Sequence, residues 1–173
     1  MSQTMDNLKA AFAGESQARN KYTFFASVAK KEGLLQIADV FLETAANEKE
    51  HAEIIFKLLD SLGDTIANLK MGIEGETFEW VDMYPEFLKV AREEGELESA
   101  KFFERVIEVE KRHAERFQTL LSLLENDQLT KKPQPVKWKC RECGYVVEGT
   151  EPPEKCPLCS HGKEYYEVLC ERY

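Results

Sequence analysis

Glutamate and histidine recur three residues apart at Glu48–His51 and again at Glu110–His113, each pair inside a long helical stretch. On a helix, positions i and i+3 share a face, so each pair can offer a carboxylate oxygen and an imidazole nitrogen to one point. That is bidentate metal ligation from a single helix. A second set of ligand types lies near the other end of the chain, where Cys140-Arg141-Glu142-Cys143 and Cys156-Pro157-Leu158-Cys159 form two Cys-x-x-Cys knuckles twelve residues apart. Two such knuckles make a tetrahedral four-thiolate site for zinc or a single iron, between which spacing does not choose.

The elements that must position these residues follow from periodicity. At an offset of 62 the chain matches itself: Val28-Ala29 with Val90-Ala91, Gly33 with Gly95, Phe41 with Phe103, Glu48 with Glu110, His51 with His113, and Leu58 with Leu120. Tyr22 with Tyr84 and Phe25 with Phe87 extend the match backwards, so the first two-thirds of the chain is a duplicated helical hairpin. Apolar spacing of three and four predicts helices over roughly 5–32, 35–62, 77–94 and 96–125, with a long loop from Leu62 to Gly75. The first stripe carries Leu8, Ala11, Glu15, Ala18, Tyr22, Phe25 and Ala29; the second Ile37, Phe41, Ala45, Glu48, His51, Ile55 and Leu58; the last Ala100, Phe103, Ile107, Glu110, His113, Phe117 and Leu120. These stripes are expected to be buried. Pro85 is expected to kink the third helix or delay its regular start.

Glu15 adds a carboxylate on the first stripe. Its repeat partner is Thr77, flanked by Glu76 and Glu79, which predicts two ligands three residues apart on a backbone that leaves the frame of the first half. Glutamates on two helices joined to Glu-x-x-His on two others is the ligand pattern of a carboxylate-bridged dinuclear site in a four-helix bundle. Five carboxylates and two neutral imidazoles suit a pair of iron or manganese ions, with Glu48 and Glu110 expected to bridge them. Tyr22 and Tyr84 occupy equivalent stripe positions near the proposed metals.

After Leu124 the period ends. Residues 127–136, with Pro133 and Pro135, read as a semi-extended linker between a helical domain over 1–126 and a cysteine module over 137–173 that needs a metal to hold together. The formal net charge of −9 and pI near 5.0 argue against nucleic acid and anionic membrane as partners. No apolar run spans a bilayer and Met1–Lys9 lacks a signal-peptide layout, so a cytoplasmic protein with reduced thiols is expected.

With both ligand sets identified, the chain resembles the rubrerythrins over nearly its whole length. The resemblance rests on Ala11-Phe12-Ala13-Gly14-Glu15-Ser16-Gln17-Ala18-Arg19-Asn20, both Glu-x-x-His words, Gly75-Glu76-Thr77-Phe78-Glu79 leading to Met83-Tyr84-Pro85, and the two knuckles. It implies an all-α four-helix ferritin-like bundle followed by a small rubredoxin-like β domain. It further implies that Glu15, Glu48, Glu76, Glu79, Glu110, His51 and His113 bind two irons, that Cys140, Cys143, Cys156 and Cys159 bind one rubredoxin-type iron, and that Glu79 and His51 exchange as ligands on reduction. The implied activity is a peroxidase that reduces hydrogen peroxide to water in oxidative-stress protection. The carboxylates or Tyr22 handle protons in that activity, and electrons come from rubredoxin or an NAD(P)H-dependent reductase. A homodimer or higher homo-oligomer, with hairpins exchanged between chains in some relatives, also follows from the resemblance. The rival readings are a ferroxidase or iron-storage protein, and a zinc-ribbon interaction module on a helical scaffold.

Overall fold

The computed structural model describes residues 2–171 and divides into two compact units at Asp64–Thr65. The first unit is a hairpin of α1 (Gln3–Lys31) and α2 (Leu35–Leu58). Ser2 opens α1 by accepting the Met5 N–H on its side chain, and Lys30 and Lys31 sit favourably at the negative end of the helix dipole. Between the helices Gly33 takes the left-handed conformation at φ 79°. Leu34 N–H reaches back to the Ala29 carbonyl at 2.9 Å and Gly33 N–H to Lys30, which satisfies carbonyls the helix end would otherwise strand.

The second unit repeats this plan with a longer first arm. It comprises α3 (Thr65–Phe78), a π-helical segment Glu79–Met83, α4 (Tyr84–Glu94) and α5 (Leu97–Glu125). Gly95, at φ 77°, makes the α4–α5 turn with the same pair of backbone hydrogen bonds. The duplication is visible in the packing. Ala29 and Ala38 are buried at the first seam, and their repeat partners Ala91 and Ala100 at the second. Tyr22, Phe25 and Phe41 form a ring cluster with centroid separations of 5.6–6.2 Å, and Tyr84, Phe87 and Phe103 reproduce it at 5.7–6.1 Å.

Two expectations need correction. The span from Leu62 to Gly75 is not a long loop, because α3 already begins at Thr65. Ile66, Leu69 and Ile73 carry a helical period there, and the two glycines mask it. Gly72 is where α3 lies against α5: a Cβ on it would meet the Phe117 ring at 3.1 Å. Gly72→Leu should therefore overpack this contact and cost about 1–3 kcal/mol of stability, read as a lower denaturation midpoint; an unchanged midpoint would show the contact to be slack. Pro85 falls in the first turn of α4, where a missing N–H is tolerated, and regular α-helix resumes only there, after the π segment, so the delayed start is the alternative the structure shows.

The second correction concerns the stripes. Ala29, Ala45 and Ala100 are buried as expected, but Phe25, Ile37, Leu58 and Leu120 are exposed. A pair of helices buries only small side chains along its seam, and larger residues on the flanks need a further layer. Among the described residues no helix is long and apolar enough to cross a membrane.

The cysteine module is a three-stranded antiparallel sheet of β1 (Val136–Cys140), β2 (Val146–Gly149) and β3 (Tyr166–Val168), in the order β2-β1-β3. Trp138 pairs with Val147 on one side and Val168 on the other, and Cys140 lies opposite Tyr166. Its small core is Trp138, Cys140, Cys156 and Tyr166, with Val136, Cys143, Val147 and Cys159 packed around it. Half of that core is ligand, so a metal is needed to staple so small a sheet.

Candidate metal centres

Each helical hairpin carries a triad. In the first, Glu15 from α1 meets Glu48 and His51 from α2; in the second, Glu76 from α3 meets Glu110 and His113 from α5. One ligand atom from each member lies within 4.8 Å of the other two. His51 Nδ1 is 2.9 Å from Glu48 Oε2 and 3.9 Å from Glu15 Oε2. His113 Nδ1 is 2.7 Å from Glu110 Oε2 and 3.3 Å from Glu76 Oε2. The two triads are built alike, the carboxylates half-buried and the imidazoles exposed.

The match between Glu15 and Glu76 explains the frame shift at Thr77. Tyr84 N–H bonds to the carbonyl of Glu79, five residues back instead of four, so the π segment accommodates one extra residue. Downstream, Tyr84 keeps the offset of 62 from Tyr22; upstream the offset falls by one, and Glu76 takes the place that Glu15 holds in the first hairpin. Glu79 sits at the start of the π segment itself, half-buried and outside the second triad. A π-bulge inside an α-helix frequently marks a functional site, and here it adds a carboxylate that the first hairpin lacks.

The electrostatics repeat as well. A hydrogen bond to Glu48, with partial burial and repulsion added, holds the Glu15 carboxyl above its ordinary value. The same hydrogen bond, with another to His51, holds Glu48 below its own. Glu76 is raised by burial first and then by its hydrogen bond to Glu110. In each triad one carboxyl is thus pushed toward its protonated form, as expected where like charges share a site. A cation among these oxygens would relieve the same repulsion. The donor set, oxygen and imidazole nitrogen, fits iron.

Tyr84 is tied to the second triad. Burial raises its phenol, and the negative charges of Glu79, Glu110 and Glu76 raise it further. Tyr22 is half-buried in the ring cluster of the first hairpin.

In the β module Cys140, Cys143, Cys156 and Cys159 bring their sulfurs together within 4.8 Å. Cys140 and Cys159 sulfurs are 3.7 Å apart, and those of Cys143 and Cys156 are 3.6 Å apart. The edge of a tetrahedron with metal–sulfur bonds near 2.3 Å is about 3.75 Å, so these two edges already fit a tetrahedral ion. The knuckles are alike: Gly144 N–H bonds to the Cys140 carbonyl and Ser160 N–H to Cys156, both at 2.9 Å, with Gly144 at φ 78° and Ser160 at φ 63°. Tyr145 N–H donates to Cys143 sulfur, and His161 N–H to Cys159 sulfur. Burial pushes the Cys156 thiol up, but the nearby Tyr166 hydroxyl and the backbone N–H groups of Cys159 and Leu158 outweigh it, to about 6. Cys159 is driven up to about 12: the His161 N–H lowers it, but burial and the three crowding cysteines prevail. Four thiols this close do not ionise together without a cation among them.

His161 has its ring Nδ1 3.3 Å from Cys159 sulfur and its ring tilted against that of Tyr165, centroids 4.5 Å apart. Its place two residues past the last cysteine was the available signal, since that is where each knuckle aims an N–H at sulfur. Cys170 is free and exposed.

Comparison with known proteins accords with both centres. The Rubrerythrin family matches residues 6–121, and the rubrerythrin rubredoxin-like domain matches residues 138–167. The chain is 45% identical to a putative rubrerythrin of Methanocaldococcus jannaschii, across 100% of this chain and 96% of the relative. It is 44% identical to rubrerythrin-1 of Clostridium acetobutylicum, across 98% and 96%, and 43% identical to rubrerythrin of Porphyromonas gingivalis, across 99% and 92%. Among solved structures, partially reduced nigerythrin is 34% identical over 98% of this chain and 88% of its own, at a TM-score of 0.38. This chain is all-α helical hairpins followed by a small β-sheet domain with a metal-binding cysteine cluster, and it belongs to the rubrerythrin family.

Proposed function

We propose that Glu15, Glu48 and His51 on the first hairpin, and Glu76, Glu79, Glu110 and His113 on the second, hold the two irons, and that Cys140, Cys143, Cys156 and Cys159 hold the third. The chain is of the non-haem di-iron peroxidase class, implicated in peroxide reduction and oxidative-stress defence. The observation that carries the residue assignment is the pair of matching Glu/Glu/His triads beside a four-sulfur cluster of tetrahedral dimensions. An iron-storage role has no use for that last centre.

When bound, a ferrous pair supplies the two electrons that, with two protons, turn one hydrogen peroxide into two waters, and a four-thiolate iron returns electrons singly. The protein's own groups do the rest. Glu15 and Glu76, whose carboxyls sit high, are the members of each triad suited to take and release a proton. Tyr84, raised by burial and by the carboxylates around it, stays protonated and keeps an O–H to donate. Tyr22 is assigned the matching part on the first hairpin.

Anaerobic titration of the fully reduced, iron-loaded chain with peroxide tests the reading. One peroxide should consume two electrons, with the helical irons oxidised before the red colour of the oxidised thiolate centre develops. Oxidation of the thiolate centre first, or a stoichiometry of one electron per peroxide, would sink it.

Electrons are proposed to enter from rubredoxin or an NAD(P)H-dependent reductase, in the cytoplasm, where thiols such as these stay reduced. The working form is proposed to be a homodimer. The support is the row of exposed apolar side chains on the helices, Phe24, Phe25, Val28, Leu34, Leu35, Ile37 and Val40 among them, because soluble monomers rarely leave so large an apolar face in water. Sedimentation should return at least twice the 19.9 kDa of one chain; a monomer at micromolar concentration would refute it.

A further inference from the structure

Two aromatic side chains with polar tips lie in the core of the β module. Trp138, wholly buried, gives its indole N–H to the Gly149 carbonyl at 2.9 Å. Tyr166 is 5% exposed, and its hydroxyl oxygen is shut off from solvent with no hydrogen-bond partner. Its position is set by the sheet, because β3 pairs with β1 and places Tyr166 opposite Cys140, in one cluster with Cys156. The polar atom beside its hydroxyl in that cluster is the Cys156 sulfur.

A buried hydroxyl without a partner is costly, and phenylalanine would fill the same space without that cost. A neutral thiol is a weak acceptor, whereas a thiolate is a charged and much stronger one. The orphaned oxygen therefore gains a strong acceptor when a metal-bound thiolate stands beside it.

We propose that Tyr166 is a positioning residue of the four-thiolate iron centre: its hydroxyl donates to the Cys156 sulfur once that sulfur is a metal-bound thiolate, and raises the centre's reduction potential. This rests on the four cysteines holding iron. Four thiolates around ferric iron carry a net charge of about −1, and one electron from the external donor makes it about −2, with no bond broken and no proton moved. A hydrogen-bond donor is attracted more strongly by the more negative state. It therefore favours reduction, as hydrogen bonds to sulfur do at iron–thiolate centres.

Tyr166→Phe in the full, iron-loaded chain is the test. At fixed ambient potential the ratio of reduced to oxidised thiolate iron should fall about tenfold, a midpoint lower by about 59 mV for one electron. Iron content should stay at the wild-type level and the red absorption should persist, shifted in position. An unchanged midpoint in a variant that keeps its red centre would overturn the proposal. If neither variant nor wild type forms a red centre, the cysteine assignment itself has failed. A second measurement needs no variant. With a magnetically active cadmium isotope in the cysteine site of the wild-type chain, the Tyr166 hydroxyl proton should exchange slowly and show coupling to the metal through the Cys156 sulfur. A rapidly exchanging, uncoupled hydroxyl would contradict the hydrogen bond, whatever the folding of the variant.

Discussion

Glu110→Ala, or His113→Ala, in the iron-loaded protein abolishes peroxide-dependent oxidation of the helical irons and leaves the red thiolate centre intact. The two residues lie on one face of α5 with ligand atoms 2.7 Å apart, so either change removes a donor from the second triad and leaves Glu76 with a single partner there. A two-electron reduction needs both irons, so losing one takes the rate to that of peroxide in buffer and does not merely scale it down. Folding is not at stake to the same degree, because the His113 side chain is exposed and the seam of this hairpin is built from Ala91, Ala100, Ala114 and Leu121. Stopped-flow mixing of the reduced variant with peroxide, followed at both chromophores, decides it. Oxidation at the wild-type rate would remove α5 from the site; loss of both centres together would mean that the chain had unfolded.

Cys156→Ser separates the two centres from the other side. Cys156 is buried in the core of the β module, and it is the sulfur whose surroundings most favour its ionised form. A serine oxygen is a poor ligand where soft sulfur is required, so the red colour is lost. A prereduced sample still consumes one equivalent of peroxide, since the triads are drawn from other elements. Steady turnover with an external reductase falls to background, because electrons no longer pass through the thiolate iron. Turnover at the wild-type rate would show that the donor reaches the helical irons directly and would strip the cysteine module of its relay role.

Much of the site was legible before folding because its information is local. Glu48 with His51 share a face by helix geometry alone, Cys140 with Cys143 share a knuckle by turn geometry alone, and the duplication links the two hairpins residue for residue. The π segment was not legible. Its effect shows in sequence only as a mismatch at Thr77, and a five-residue hydrogen bond leaves no mark in composition. Nor was α3, whose Gly72 reads as a helix breaker until Phe117 is seen to need the space.

Ligand types, their pairing by helical and knuckle spacing, and the repeated hairpin are properties of the chain as a string, since each depends on residues within one or two turns of one another. Tertiary structure alone decided that Glu76 rather than Glu79 stands in for Glu15, that His161 reaches Cys159, and that the Tyr166 hydroxyl is sealed in the core beside Cys156. Those outcomes depend on which carbonyl a given N–H finds and on which strand lies beside which, and such choices are made only when distant segments compete for the same space.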